Sequence, residues 1–311
     1  MRYILVRLLP VLFLILSSPT LSEGRVVAGV IMTADIPYYA AMHQAFVDGL
    51  KKSLPADEEI QFILQRPFPD PIAWSNAARK LIALDVDLII SYGAPATQAV
   101  LFEKSRIPLV YVGVYEPETT EISGRHVTGC GYRVPLSSLL RYFKKLKDID
   151  TLRVIYSSNE EDSVRQMTEL VDLAKRQNIN LATVDIRSQG DIKKINSTIG
   201  TNDAVYFTGS ALAHIWIEDI LLLLREKKIP AVDIFSDPAE TGMLITLFHP
   251  PNQQGERAAE IAAKIIGGEA AENIAPELLR ETELVFNLVE ARQLGINFPI
   301  QLMVEATRVI K

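Results

Sequence analysis

The sequence predicts an α/β protein made of two similar lobes, each a parallel sheet covered by helices on both faces. Three observations carry this expectation. Short runs that are apolar on both faces, such as Arg25–Thr33 and Asp87–Tyr92, are each followed by a segment of helix length, the pattern of buried parallel strands in βαβ units. One such unit is written twice, at Asp87–Pro117 and Asp203–Pro238. Asp87/Asp203, Gly93/Gly209, Ile107-Pro108/Ile229-Pro230 and Glu116-Pro117/Asp237-Pro238 fall in the same order. The 311 residues are enough for two cores, and a cleft between similar lobes is a common ligand site.

The elements follow in order. Residues 1–22 are read as a secretory signal peptide that is removed. Two arginines precede the apolar run Leu8–Ser17, and the small residues Thr20 and Ser22 stand at −3 and −1 before Glu23. The apolar run is shorter than a membrane span, so a periplasmic or otherwise exported, soluble protein is expected. Arg25–Thr33 is a strand. Tyr39, Met42, Phe46 and Leu50 recur at helical spacing within a helix Tyr38–Leu54 that Pro55 ends. Glu59–Gln65 is a strand, Ile72–Leu84 a helix, and the first copy of the repeat follows. Thr119–Gly131, with three glycines, reads as a linker. Helices are expected at Leu136–Leu146, Glu161–Gln177 (with Val164, Met167, Val171 and Ala174 inward) and Asp191–Ile199, and strands at Leu152–Tyr156 and Leu181–Ile186. After the second copy come a strand at Met243–Phe248, a helix Gln253–Ile266, a strand Glu283–Asn287, a short helix ending at Gly295 and a final helix over Phe298–Lys311.

Composition narrows the function. The formal charge is −6, with no cluster of Lys or Arg, which argues against nucleic acid and anionic lipid as partners. Cys130 is the single cysteine, so an intramolecular disulfide is excluded. The four histidines have no zinc-ligand spacing, and nucleophile-elbow, phosphate-loop and dinucleotide motifs are absent. No metal and no cofactor is expected. Cys130 and His126 would lie about 13 Å apart on an extended strand, too far for a catalytic pair, so Cys130 is expected to be a buried strand residue. Binding without chemistry is the expectation; no catalytic residue is assigned.

In open parallel sheets, ligands lie beyond the carboxyl ends of the strands, where helix N-termini point free N–H groups outward. The loops that meet this description are Thr33–Tyr39, Tyr92–Thr97, Val114–Glu118, Ser157–Ser163, Thr208–Ala211 and Phe235–Gly242. Thr33, Tyr38, Tyr92 and Gly93 are candidate contacts from the first two. Tyrosines gather in these loops (Tyr38, Tyr39, Tyr92, Tyr115 and Tyr156) and could enclose an apolar or aromatic group. Ser158 and Glu161 have the spacing of a capping box. Trp74 and Trp216 are expected to be core.

The pieces DLIISYGAPATQA, IPLVYVGVYEP, RVIYSSNEEDSV, DAVYFTGSAL, IPAVDIFSDP, GERAAEIAAKIIGGE and FNLVEARQLGINFP, in this order, resemble the bacterial substrate-binding proteins of ABC transporters whose members include tryptophan- and tyrosine-binding lipoproteins. The resemblance implies a type I periplasmic-binding-protein fold: two Rossmann-like lobes joined by three crossovers and closing on a small ligand. It divides the chain into residues 23–131 plus 252–268 for lobe 1 and 132–251 plus 269–311 for lobe 2. Carried over from the family are contacts by Ala94, Pro95, Ala96, Tyr115 and Glu116 in the first lobe, and by Asn159, Glu161, Ser163, Thr208, Ser210, Ser236 and Asp237 in the second. The chain departs from the family pattern at Ala94, Glu116 and Ser157-Ser158. If the ligand is an amino acid, its ammonium needs a carboxylate, and Asp237 is the expected partner with Glu116 second. The implied role is capture of a small polar ligand for an ABC permease; the alternative partner is a membrane sensor kinase or cyclase.

Overall fold

The computed structural model describes residues 25–55, 58–145, 150–235 and 237–311. The expected signal peptide and Ser236 lie outside the described residues.

The first sheet is built from β1 (Val26–Met32), β2 (Ile60–Gln65), β3 (Leu88–Tyr92), β4 (Leu109–Tyr115) and β5 (Val127–Tyr132), with α1 (Pro37–Ser53), α2 (Pro71–Ala83) and α3 (Ala94–Phe102) between them. The chain then passes to the second lobe through α4 (Leu136–Lys144), β6 (Thr151–Tyr156), α5 (Glu161–Arg176), β7 (Asn180–Asp185), α6 (Ile192–Thr198), β8 (Asp203–Phe207), α7 (Ala211–Ile215), α8 (Ile217–Glu226), β9 (Ala231–Asp233), α9 (Pro238–Thr241) and β10 (Ile245–Phe248). It returns through α10 (Pro251–Ile266) and β11 (Glu277–Leu279), then crosses a third time to β12 (Glu283–Asn287), α11 (Leu288–Leu294), α12 (Ile300–Glu305) and β13 (Arg308–Ile310). The first sheet runs β11-β5-β4-β3-β1-β2 and is parallel throughout. The second runs β13-β12-β10-β9-β8-β6-β7, with β12 antiparallel to β10. The α/β class, the two parallel lobes and the three crossovers are those read from the sequence.

Local chemistry explains the elements. β3 and β4 are buried at every position because they are central strands covered on both faces. In α1, Tyr38, Met42, Phe46 and Leu50 form one inward stripe. Asp70 caps α2, accepting from the Ile72 and Ala73 N–H groups at 2.9 and 3.0 Å, and Pro71 takes the first helical position, where no N–H is needed. Cys130 is fully buried in β5, as expected, and burial pushes its thiol up to about 12.

Three stretches differ from expectation. The end of the expected linker is β5: Gly129 is there because a Cβ would lie 2.1 Å from the Tyr111 carbonyl oxygen. Its glycine thus marks close strand approach, not a loop. The returning segment does not end at residue 268, because β11 pairs with β5, aided by the Thr128 hydroxyl donating to the Ile274 carbonyl at 2.8 Å. The C-terminus is not one helix. Thr307 N–H donates to Leu284 O at 2.9 Å and its hydroxyl accepts from Leu284 N–H at 3.1 Å, clipping β13 to the edge of β12.

Candidate ligand-binding cleft

Each sheet has one point where the chain order reverses, and these are the places where an open α/β sheet leaves a crevice. In the first sheet it lies between β1 and β3, and in the second between β6 and β8. The loops leaving those four strands meet across the interlobe seam. The Gln98 amide of α3 donates to Glu161 at the start of α5. The ring of Tyr39 from α1 lies 5.5 Å from that of Phe235 after β9.

The first lobe supplies a tight wall. Gly93 adopts φ +85°, and a Cβ there would lie 2.3 Å from the Tyr39 hydroxyl and 2.7 Å from Thr33 Oγ1, so only glycine fits. Thr33 is fully buried. Its hydroxyl donates to the Tyr92 carbonyl at 2.7 Å and accepts from Ala96 N–H at 3.3 Å, while its carbonyl accepts the Trp74 indole N–H at 2.8 Å. Ala94, Pro95 and Ala96 form the buried first turn of α3; Pro95 has no N–H and the Ala96 N–H is held by Thr33, which leaves the Ala94 N–H as the one backbone donor of these three not tied to a side chain. The wall is therefore apolar, with that N–H and the Tyr39 hydroxyl as its polar features.

The second lobe supplies carboxylates. Glu160 is 1% exposed, accepts from the Ser210 hydroxyl and from the Ala211 and Leu212 N–H groups at 2.7, 2.8 and 3.0 Å, and so caps α7. Burial raises its carboxyl above the usual range against these donors. The hydroxyls of Ser163 and Thr208 bind each other at 2.7 Å; Ser163 also accepts from Ser157 N–H, and Thr208 also contacts the Ile155 carbonyl. The Ser163, Thr208 and Ser210 hydroxyls, expected as ligand contacts, are thus already engaged inside this lobe, and that of Ser210 holds the Glu160 carboxylate.

Three buried polar atoms on α5 have no hydrogen-bond partner among the described residues: Asp162 Oδ1, Arg165 Nε and Gln166 Nε2; Arg165 also lies near enough to Asp162 to favour its carboxylate form. Asp162 is 4% exposed and its Oδ1 has no hydrogen-bond partner among the described residues. Gln166 is fully buried; its Oε1 accepts from Gly209 N–H at 2.7 Å, which fixes the amide so that Nε2 is left without an acceptor. Asp162 and Gln166 are one helical turn apart on α5, roughly 5–6 Å between Cβ atoms. A buried acceptor and a buried donor, side by side and unpaired, are costly unless something binds them. Burial, and then the nearby Glu160 carboxylate, push Asp162 up to about 7. Binding of an ammonium group requires the carboxylate form, so affinity should hold above pH 7 and fall roughly tenfold for each unit below it. Calorimetry from pH 5 to 8 checks this. The same raised carboxyl favours the folded, ligand-free protein in acid, and that contribution is lost as the pH rises through about 7.

The remaining sequence-predicted residues are placed differently. Tyr92 points into the first lobe, its hydroxyl 3.0 Å from His43 Nδ1, and belongs to that core. Tyr115 is buried against Tyr132 and bonds Glu169 across the lobes at 3.3 Å, a lobe–lobe contact. Its carbonyl and that of Glu116 accept from Arg165 at 2.9 and 3.4 Å. The Glu116 carboxylate pairs with Arg133 at 2.7 Å. Asp237 pairs with Arg308 at 2.6 Å and accepts from Ala239 N–H at 2.9 Å, so the expected ammonium partner is already neutralised. Asn159 is half-buried beside Ser157, and Glu161 is exposed and bound by Gln98. Ser158 does not form a capping box with Glu161; it bonds Asp185 at 2.8 and 2.9 Å. The Tyr38 hydroxyl accepts from Gln254 at 2.7 Å and donates to the His249 carbonyl at 3.3 Å, and its ring lies 4.2 Å from that of Phe235, tilted by 38°. Glu160, Asp162, Gln166 and Phe235, which are not among the candidates read from the sequence, also lie at the seam. Beyond the Tyr38–Phe235 pair, beside the crossovers, lies a cavity of about 710 Å³ that both rings line together with Phe248, Asp237 and Arg308.

Two parallel α/β lobes joined by three crossovers, with their crevices facing across a seam, define the type I periplasmic-binding-protein fold. A family model for ABC transporter substrate binding proteins matches residues 28–310, and the chain belongs to that family of non-enzymatic binding proteins. It is similar to a tyrosine-binding protein of Clostridioides difficile (strain R20291), 23% identical over 268 residues that cover 83% of this chain and 78% of that one. Among solved structures, a conserved domain protein from Vibrio cholerae superposes with TM-score 0.85 at 22% identity, covering 92% of this chain and 100% of that one. An ABC domain from Streptococcus pneumonia in complex with L-Trp gives 0.80 at 19%, covering the same shares. Among the described residues, no group of His, Cys, Asp and Glu could hold a metal, and no helix is long and apolar enough to cross a membrane.

Proposed function

We propose that this substrate-binding protein is exported, captures an α-amino acid in the interlobe seam and delivers it to an ABC permease. The observation that carries the ligand class is the unpaired acceptor and donor on α5. Asp162 Oδ1 suits an ammonium and Gln166 Nε2 suits a carboxylate, and both are buried where the two lobes meet. The first lobe adds the Ala94 N–H at the start of α3 for the carboxylate end. Aromatic rings beside the seam, Tyr39 and Phe235, suit an apolar or aromatic side chain. The tyrosine-binding relative and the tryptophan complex support the same class.

Native mass spectrometry of the protein purified from the exported fraction tests this reading. An amino-acid mass should be released on denaturation, and small-angle scattering should show a smaller radius of gyration when that compound is added back. A sugar or inorganic anion released instead, with no response to any amino acid, would overturn it.

A further inference from the structure

We propose that the cavity beside the crossovers is a second subsite that takes a cationic amine. Its walls are aromatic and apolar where Tyr38, Phe235 and Phe248 line it, and such faces attract a cation. Its charges are unbalanced toward acid. Four carboxylates line it, from Asp35, Glu218, Asp237 and Glu283, against one guanidinium, that of Arg308. Asp35 reaches Arg66 at 3.5 Å, and Asp237 is held by Arg308 at 2.6 Å. Glu218 and Glu283 have no ion-pair partner among the described residues. His214 does not redress the balance. Its Nδ1 lies 2.6 Å from the Ser210 carbonyl and its Nε2 3.2 Å from Asp233, so both ring nitrogens face acceptors of the second lobe and any positive charge on the ring is met by the Asp233 carboxylate. A volume of about 710 Å³ is that of a ligand pocket, and the occupant its walls complement is a ring or alkyl group ending in an ammonium or guanidinium.

Phe235 borders both regions: it lies against Gly209 and Tyr39 on the seam side and lines the cavity on the other. A single ligand could therefore place its α-amino and carboxyl groups in the seam and a second, cationic group in the cavity. Joining both ends on one ligand rests on the amino-acid reading of the seam; the chemistry of the cavity does not.

The test compares three probes of one shape, benzylamine, benzyl alcohol and benzoate, titrated into the wild-type protein with ligand-observed NMR. Benzylamine should bind at least about tenfold more tightly than the other two, and the preference should vanish in the Glu218→Gln/Glu283→Gln double variant. Equal or tighter binding of the alcohol or benzoate, or a preference that survives the double variant, would overturn the subsite. A second comparison, 4-(aminomethyl)-L-phenylalanine against L-phenylalanine, asks whether one ligand spans both regions. Tighter binding of the cationic member supports the joined form and equal binding contradicts it. If no amino acid binds while benzylamine still shows its preference, the seam reading has failed and the cavity reading stands.

Discussion

Asp162→Asn should weaken amino-acid binding by roughly 30-fold or more while leaving the ligand-free protein as stable as before, or slightly more so. The substitution keeps the shape of the side chain and removes the charge. Truncating one side of a desolvated charge pair typically costs about 2–5 kcal/mol in binding, and 2 kcal/mol is roughly 30-fold. The folded, ligand-free protein holds that carboxyl 4% exposed with one oxygen unpaired, which is an unfavourable state for an ionised group. Burial outweighs what the carboxylate gains from Arg165 and from the N–H groups of Asp162 and Ser163, so the neutral amide loses little. Asp237→Asn and Glu116→Gln should leave affinity near that of the wild type, since Arg308 and Arg133 already hold those carboxylates. Calorimetry on the three variants gives the ranking. A loss confined to Asp237→Asn would place the ammonium elsewhere.

Glu160→Ala should act in the opposite way, on stability first. It leaves the Ser210 hydroxyl and the Ala211 and Leu212 N–H groups, all buried, without that acceptor. Breaking such a buried charged network typically costs on the order of 3–5 kcal/mol. Glu160→Gln keeps one acceptor oxygen and should recover about half of the loss. Urea unfolding measures both, and a Glu160→Ala protein as stable as the wild type would show that α7 does not depend on this cap.

The fold was open to reading because its signals are local and repeated. Apolar strands each followed by a helix, the twice-written βαβ unit and the turn glycines Gly93 and Gly209 all lie within short windows. The site was legible only in outline. The loops that meet at the seam are readable from the strand ends, and Thr33, Gly93 and the first turn of α3 pack together there. What the hydroxyls of Ser163, Thr208 and Ser210 do was not visible, because their partners are set by which strands neighbour one another. Asp162 and Gln166 are not visible in the apolar spacing of α5, which points to a face through Val164, Met167, Val171 and Ala174. Of that face only Ala174 is fully buried; the other buried residues are Asp162, Ser163, Gln166 and Leu170, since the helix is covered by its own sheet and by the opposite lobe. Asp237 was chosen without sight of Arg308, which lies 71 residues further along the chain and reaches it through the terminal strand.

The most direct measurement is a crystal structure of the protein with the amino acid that mass spectrometry identifies. Its ammonium nitrogen should lie within about 3.2 Å of Asp162 Oδ1 and its carboxylate within the same reach of Gln166 Nε2. An amino acid bound elsewhere in the cleft, with both of those atoms still unpaired, would contradict the assignment of the seam as the ligand site.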